Sequence, residues 1–339
     1  MKFRPTIIDV ARLAGVSKST VSRVISGSHE GASEEAREKV QAAIRELGYE
    51  YNALAGGMRT NRTKLIMLAI PDINNHFWPE VARGIQDCMD KAGYAVIFAN
   101  SDWQGYREMN FLRLARRNGL DGILINPIQV TNAELLATGI PTVLLGLRED
   151  YPDFDMVGSD SKGATLLALD YLYSLGHRRI ALLLGQHQNS PRRTRLDAYL
   201  DFFSGCDLFV DPDLIVEVPF EHKGGMQGMQ RLIGLNPRPT AVLASNDDIA
   251  IGALHAAVTR GLNVPQDVSI MGIDDTFAAS LTIPPLSTVE KPKYQIGYRA
   301  ADLLLDRIRG EQGAPHRFAI HCHLVVRGST AAVSVTAKE

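Results

Sequence analysis

From Lys64 onward, apolar runs of strand length alternate with amphipathic stretches of helix length, a rhythm that few folds accommodate. The runs read LIMLAIP, AVIFAN, GILINP, TVLLG, RIALLLG, AVLAS and DVSIMGI, with stretches such as EVARGIQDCMDKAG and KGATLLALDYLYSLG between them. Near-continuous apolar strands are buried on both faces, and strand-then-helix repeats give parallel sheets covered by helices. The region is long for one such layer, so two Rossmann-like lobes are expected. Ligands in these folds sit beyond the carboxyl ends of the strands. Here those ends carry PDINNHFW, NSDWQ, ASNDD and GIDDT.

The first sixty residues follow a different pattern. Thr6 is placed to cap a helix over 7–14, with Asp9 three residues on. Gly15-Val16 makes a turn, Ser17 caps a second helix over 18–25, and Ser33 caps EEAREKVQAAIREL, which Gly48 closes. In T-I-I-D-V-A-R-L-A-G-V-S-K-S-T-V-S-R-V-I-S-G, the residues Ala11, Gly15, Val16 and Val21 let two helices cross closely around a tight turn. That pattern predicts a helix-turn-helix, whose second helix enters the DNA major groove with its early residues at base edges. Lys18 and Ser19 are then the readers, and Arg23 suits guanine or phosphate. Thr6, Ser17, Thr20 and Ser22 complete the DNA-facing set, chiefly as phosphate contacts that fix register. The alternative is a small helical domain that docks on protein. Charge does not decide between them, since residues 1–60 carry nine basic and seven acidic side chains.

The whole chain holds 36 basic and 38 acidic residues, which excludes a polycation. Its three cysteines are odd in number and far apart, so a disulfide scaffold is not expected and a reducing compartment is. The opening MKFRPTIIDVARLAGV is broken by Asp9 and Arg12, and no apolar run approaches the roughly 18–20 residues that span a bilayer. A cytoplasmic protein without a membrane partner is therefore expected. No cofactor is expected either. His321-Cys322-His323 lacks the further ligands of a metal site, and Gly224, Gly225 and Gly228 do not follow a strand in dinucleotide-binding spacing. With no nucleophile elbow and no Walker loop, an enzyme is not expected.

The helix-turn-helix strip, followed by SEEAREKVQAAIRELGY and NALAGGMRTNRTK, resembles the lactose-repressor (LacI/GalR) family of bacterial transcription regulators. RPTAVLASNDDIAIGAL, GLNVPQDVSIMGIDDT and PPLSTV are similar to family signatures in the same order, so the resemblance covers nearly the whole chain. It implies a homodimer on double-stranded, pseudo-palindromic operator DNA. It also implies a hinge helix over 52–59 that folds only on DNA and enters the minor groove, with contacts from Asn52, Ala55, Met58 and Arg59. Met58 stands where most members wedge a leucine between base steps; methionine is among the wedges such proteins use. Gly56-Gly57 is a second departure, because each mid-helix glycine costs about 1 kcal/mol relative to alanine. The implied organisation is a DNA-binding domain over 1–50, a hinge and linker over 51–63, and an effector-binding and dimerisation domain over 64–339. Within the last, the amino-terminal lobe takes 64–161 and 293–326, and the carboxyl-terminal lobe 162–292 and 327–339.

That last part resembles the periplasmic sugar-binding fold, in which two lobes close on a small molecule. Matching positions imply effector contacts from Phe77, Trp78, Arg195, Phe220, Asn246 and Asp274, with Asp102, Trp103 and Asp160 as neighbours. Taken singly, each aromatic reads better as core, Phe77 above all, and Asp247 and Asp275 as helix caps. Gly146 stands where many sugar-binding members carry an aspartate, and Asn189 and Pro191 speak against a purine. Arg192, Arg193 and Arg195 crowd one loop, an arrangement open to an acidic or phosphorylated sugar, but the first two read better as solvated; a neutral mono- or disaccharide is the first expectation. The chain ends RGSTAAVSVTAKE, without the leucine heptad of tetrameric relatives, so a dimer is expected, touching through 79–91 and near Ile283-Pro284-Pro285. The expected function is a transcriptional regulator, a repressor of sugar-utilisation genes whose operator affinity is set by a small effector. The alternative is a sugar-binding receptor with no DNA role.

Overall fold

The computed structural model describes residues 5–25, 32–49, 62–186, 194–206 and 208–333. Asn52, Ala55, Met58 and Arg59 of the expected hinge lie outside the described residues, as do Asn189, Pro191, Arg192 and Arg193. The chain forms two compact units, Met1–Thr63 and Lys64–Glu339.

The first unit contains α1 (Ile7–Ala14), α2 (Lys18–Ile25) and α3 (Glu34–Leu47). Asp9 accepts hydrogen bonds from both the backbone N–H and the hydroxyl of Thr6, and α1 ends at Gly15 with φ 65°, a left-handed conformation natural to glycine. Ser17 Oγ accepts the Thr20 N–H and starts α2. Ser33 Oγ accepts the Ala36 N–H and starts α3. Val10, Ala11, Ala14, Val21, Val40 and Ala43 form the small core. A core this small makes each cap count. Ser33→Ala is expected to destabilise the first unit by about 1 kcal/mol, checked by chemical denaturation.

The second unit opens with β1 (Leu65–Ile70), α4 (Phe77–Lys91), β2 (Ala95–Asn100), α5 (Gly105–Arg117), β3 (Gly122–Ile125), α6 (Asn132–Leu136), β4 (Thr142–Leu145) and β5 (Asp155–Ser159). The chain then crosses to α7 (Ser161–Ser174), β6 (Ile180–Gln186), α8 (Thr194–Gly205), β7 (Ile215–Pro219), α9 (His222–Ile233), β8 (Ala241–Ala244), α10 (Asp247–Thr259), β9 (Ser269–Asp274), α11 (Phe277–Leu281) and β10 (Ser287–Glu290). It returns through α12 (Lys293–Arg309) and β11 (Arg317–Ile320), then crosses again to β12 (His323–Val325). The first sheet runs β11-β5-β4-β3-β1-β2 and the second β12-β10-β9-β8-β6-β7. Among the described residues every pairing is parallel except β10 with β12.

Each sheet has apolar clusters on both faces, as parallel sheets require. Strand order reverses beside β1 in one sheet and beside β6 in the other, opening a crevice at the carboxyl ends of the strands. One boundary differs from expectation. The amino-terminal lobe was expected to hold the chain until residue 326, yet His323 already pairs with Glu290 in the second sheet. β10 would otherwise be an edge strand, and β12 satisfies its open backbone groups.

Candidate functional site

On the first unit, α2 buries Val21 and turns Lys18, Ser19 and Arg23 to solvent, with Thr20 and Ser22 half-buried. Ser17 and Thr6 are exposed at the helix starts. The Ser17 hydroxyl lies 2.7 Å from Ser19 Oγ and 2.8 Å from Thr20 Oγ1, so three hydroxyls cluster at the amino terminus of α2. Helix amino termini attract phosphate, and the positive ends of Lys18 and Arg23 lie on the same short helix.

The second unit holds a cavity of about 730 Å³ between its lobes. Pro71 and Asn75 after β1, Trp103 after β2, Asn126 and Ile128 after β3, and Gly146 after β4 come from the first lobe. Gly185 on β6, Phe220 after β7 and Asp274 at the end of β9 come from the second, with Asp160 and Lys291 at the crossings. Trp103 and Phe220 meet across the cleft, ring centroids 6.2 Å apart. Phe220 lies against Gly185, where an added Cβ would come within 2.2 Å of the ring. Phe77 and Trp78 both line the cavity, in edge-to-face contact at 5.1 Å, although Trp78 also belongs to the core. Behind one wall, the buried Glu108 carboxylate accepts the N–H groups of Ile128, Gln129 and Val130 and fixes that loop.

Of the expected effector contacts, the cavity brings together Phe77, Trp78, Asp160, Arg195, Phe220 and Asp274. Asp102 and Asn246 do not line it. Asp102 has φ 46° and Trp103 φ 59°; this left-handed turn sends the ring into the cleft while the carboxylate takes Asn100 Nδ2 and Arg107 Nη1. Asn246 caps α10, its Oδ1 accepting the Ile249 N–H at 2.9 Å. Gly146 sits at φ 115°, a conformation that L side chains rarely adopt, so no aspartate fits there without strain.

Lys291 is the residue that sequence reasoning missed. It is 5% exposed, 3.0 Å from Asp274 Oδ1 and 5.6 Å from the Phe77 ring centroid. Burial pulls its amine below the usual lysine range, and Asp274 works against that shift. Burial likewise lowers Arg195, again opposed by Asp274. Behind the floor, burial and the nearby Asp274 charge push Asp247 up to about 7.

Comparison with known proteins gives this geometry its context. Residues 6–52 match the description "Bacterial regulatory proteins, lacI family", and residues 169–330 match "Periplasmic binding protein-like domain". The chain is 33% identical to the HTH-type transcriptional repressor CytR of Escherichia coli (strain K12), over 97% of each. The chain belongs to the lacI family of bacterial regulatory proteins. Two solved structures support the same placement for this lacI-family chain. A lac repressor dimer bound to operator and an anti-inducer matches with a TM-score of 0.86 at 28% identity, over 97% of this chain and all of that one. The complex of the transcriptional regulator CelR with cellobiose matches at 0.71 and 30%, over 96% of this chain and 100% of that one. The protein is thus a lacI-type DNA-binding transcriptional regulator, with helix-turn-helix helices and a two-lobed α/β core. Its matched relatives are repressors rather than enzymes. No described helix is long and apolar enough to cross a membrane.

Proposed function

We propose that this chain is a repressor whose affinity for operator DNA is set by a carbohydrate bound between the lobes of its second unit. The observation that carries the reading is the cavity itself. Aromatic faces from Phe77, Trp78, Trp103 and Phe220 surround a floor of Arg195, Lys291 and Asp274, the mixture of stacking faces and fixed polar groups that a sugar ring requires. Lys18 and Ser19 read base edges; Thr6, Ser17, Thr20, Ser22 and Arg23 hold the phosphates and register. Asn52, Ala55, Met58 and Arg59 form the minor-groove part of the contact. The protein acts in the cytoplasm as a homodimer on a pseudo-palindromic site and turns over no substrate.

The mechanism is linkage. A ligand shifts the operator equilibrium only by its differential affinity for the two lobe arrangements, so an inducer favours the DNA-free arrangement and a corepressor the bound one. The test is fluorescence anisotropy on operator DNA with and without a saccharide panel. Arg195→Ala is expected to weaken the effector response at least about tenfold and leave operator affinity unchanged, as befits a lost charge-assisted contact. Lys18→Ala is expected to weaken operator binding about tenfold and leave the effector's affinity intact. Equal binding to operator and unrelated DNA would instead favour a sugar receptor with no DNA role.

A further inference from the structure

We propose that the cleft is built for a carbohydrate bearing an anionic group, a carboxylate or a phosphate, held by Arg195 and Lys291. The proposal rests on the carbohydrate reading above and replaces the neutral saccharide expected from the sequence. Its basis is a charge imbalance in a place water reaches poorly. Two cations, Arg195 and Lys291, line the floor of the cavity against one carboxylate, Asp274. Asp274 is 4% exposed and already ion-paired to Lys291 at 3.0 Å. Among the described residues Arg195 has no ion pair, and its Nε is sealed from solvent without a hydrogen-bond partner. Arg195 as a whole is half-buried, and a guanidinium sealed in this way at Nε is costly unless a partner arrives. A planar guanidinium fork takes carboxylate or phosphate in two parallel hydrogen bonds.

The other charges nearby do not cancel the excess. Lys293 Nζ donates to the carbonyls of Asp274 and Asp275 and lies 3.4 Å from Glu80. Asp275 pairs with Arg327 at 2.7 Å, and Asp248 with His76 at 3.0 Å. Asp247 does not line the cavity, and at about 7 it supplies only part of a charge near neutral pH. Cys322 is raised by burial and stays a neutral thiol. Asp160 lines the cavity and keeps its charge, but the residue is exposed, so solvent screens it, and one of its oxygens accepts the Gly163 N–H that starts α7. On the rim, Arg148 pairs with Asp150 and Lys162 with Asp201, and Glu149 and Arg317 are exposed, so solvent screens their charges.

The test is calorimetric titration of the full chain with matched pairs: glucose against glucuronate, gluconate and glucose 6-phosphate, and ribose against ribose 5-phosphate. At least one acidic member is expected to bind about tenfold or more tighter than its neutral parent, losing affinity as potassium chloride is raised. The carboxylate and phosphate arms identify which anion fits. Lys291→Gln is expected to reduce that preference severalfold, the acidic member losing more affinity than its neutral parent. Asp274→Asn, which removes the competing carboxylate, is expected to strengthen it, and melting curves confirm that both variants fold. Neutral parents binding as tightly as their acids would overturn the anion proposal and leave the carbohydrate reading standing. No binding by any member of either set overturns both.

Discussion

Gly297→Ala is expected to destabilise the second unit by about 3 kcal/mol or more, the upper part of the range for overpacking a well-packed contact. A Cβ on Gly297 would stand 1.9 Å from the Val81 carbonyl oxygen and 2.8 Å from its carbon. The contact is reciprocal, because a Cβ on Gly84 would meet the Tyr294 carbonyl oxygen at 2.2 Å. Both obstacles are backbone, so no side chain can rotate aside. α4 and α12 must separate, and with them Ile85, Met89, Ile296, Ala300 and Leu304 of the buried cluster. The second lobe repeats the device where α9 meets α10: Gly225 faces the Ile249 carbonyl and Gly252 the His222 carbonyl, each at 1.9 Å. Gly205 is the control, since nothing lies within 4 Å of its added Cβ and alanine is the better helix former. Urea denaturation followed by circular dichroism measures both. A loss below about 1 kcal/mol in Gly297→Ala would mean that the helices are free to slide, and the close-packing argument would fall.

Those glycines illustrate what a sequence discloses. LIMLAIP, GILINP and RIALLLG announce buried parallel strands because their apolar content is continuous. DMVGS, IVEVP, STVE, RFAI and HLV are shorter or more polar, and they become β5, β7, β10, β11 and β12 only because neighbouring strands offer open backbone groups. The helix-turn-helix was legible for a local reason: its caps, its αL glycine and its small crossing residues all lie within one short stretch. The cleft was legible in part. Phe77, Trp78, Arg195, Phe220 and Asp274 stand at strand ends or helix starts, where such folds place ligands. Lys291 carries no local mark, for a lysine between two elements is usually solvated. It becomes a floor residue because the crossing from β10 to α12 passes beneath the cavity. Asp102 and Trp103 are neighbours in sequence with opposite fates, and only the left-handed turn at both residues decides which one enters the cleft.

Asp247→Asn is expected to gain stability over the natural chain as pH rises from about 4 to about 8, by on the order of 4 kcal/mol. Burial first, and the Asp274 charge second, push the Asp247 carboxyl from its usual 3.8 up to about 7. Between those values the folded protein holds a proton that the unfolded chain has released. Each upward step in pH therefore weakens the fold, at about 1.4 kcal/mol per pH unit across the window. The contribution is complete below 3.8 and lost as pH passes about 7. Asparagine keeps the geometry without the titration. Thr276 N–H and Thr288 Oγ1 each donate to Asp247 at 2.6 Å. An asparagine Oδ1 accepts the first, and its amide donates to the second, since a threonine hydroxyl also accepts. Gly272 leaves the space for either side chain, as a Cβ there would stand 2.3 Å from Asp247 Oδ1. Urea midpoints for both chains at pH 4.5, 6 and 8 decide the matter. Curves that stay parallel would mean that Asp247 titrates as an ordinary carboxylate. A variant that loses ground as pH rises would mean that the charged form is the one the fold prefers, and the pressure assigned to Asp274 would then have the wrong sign.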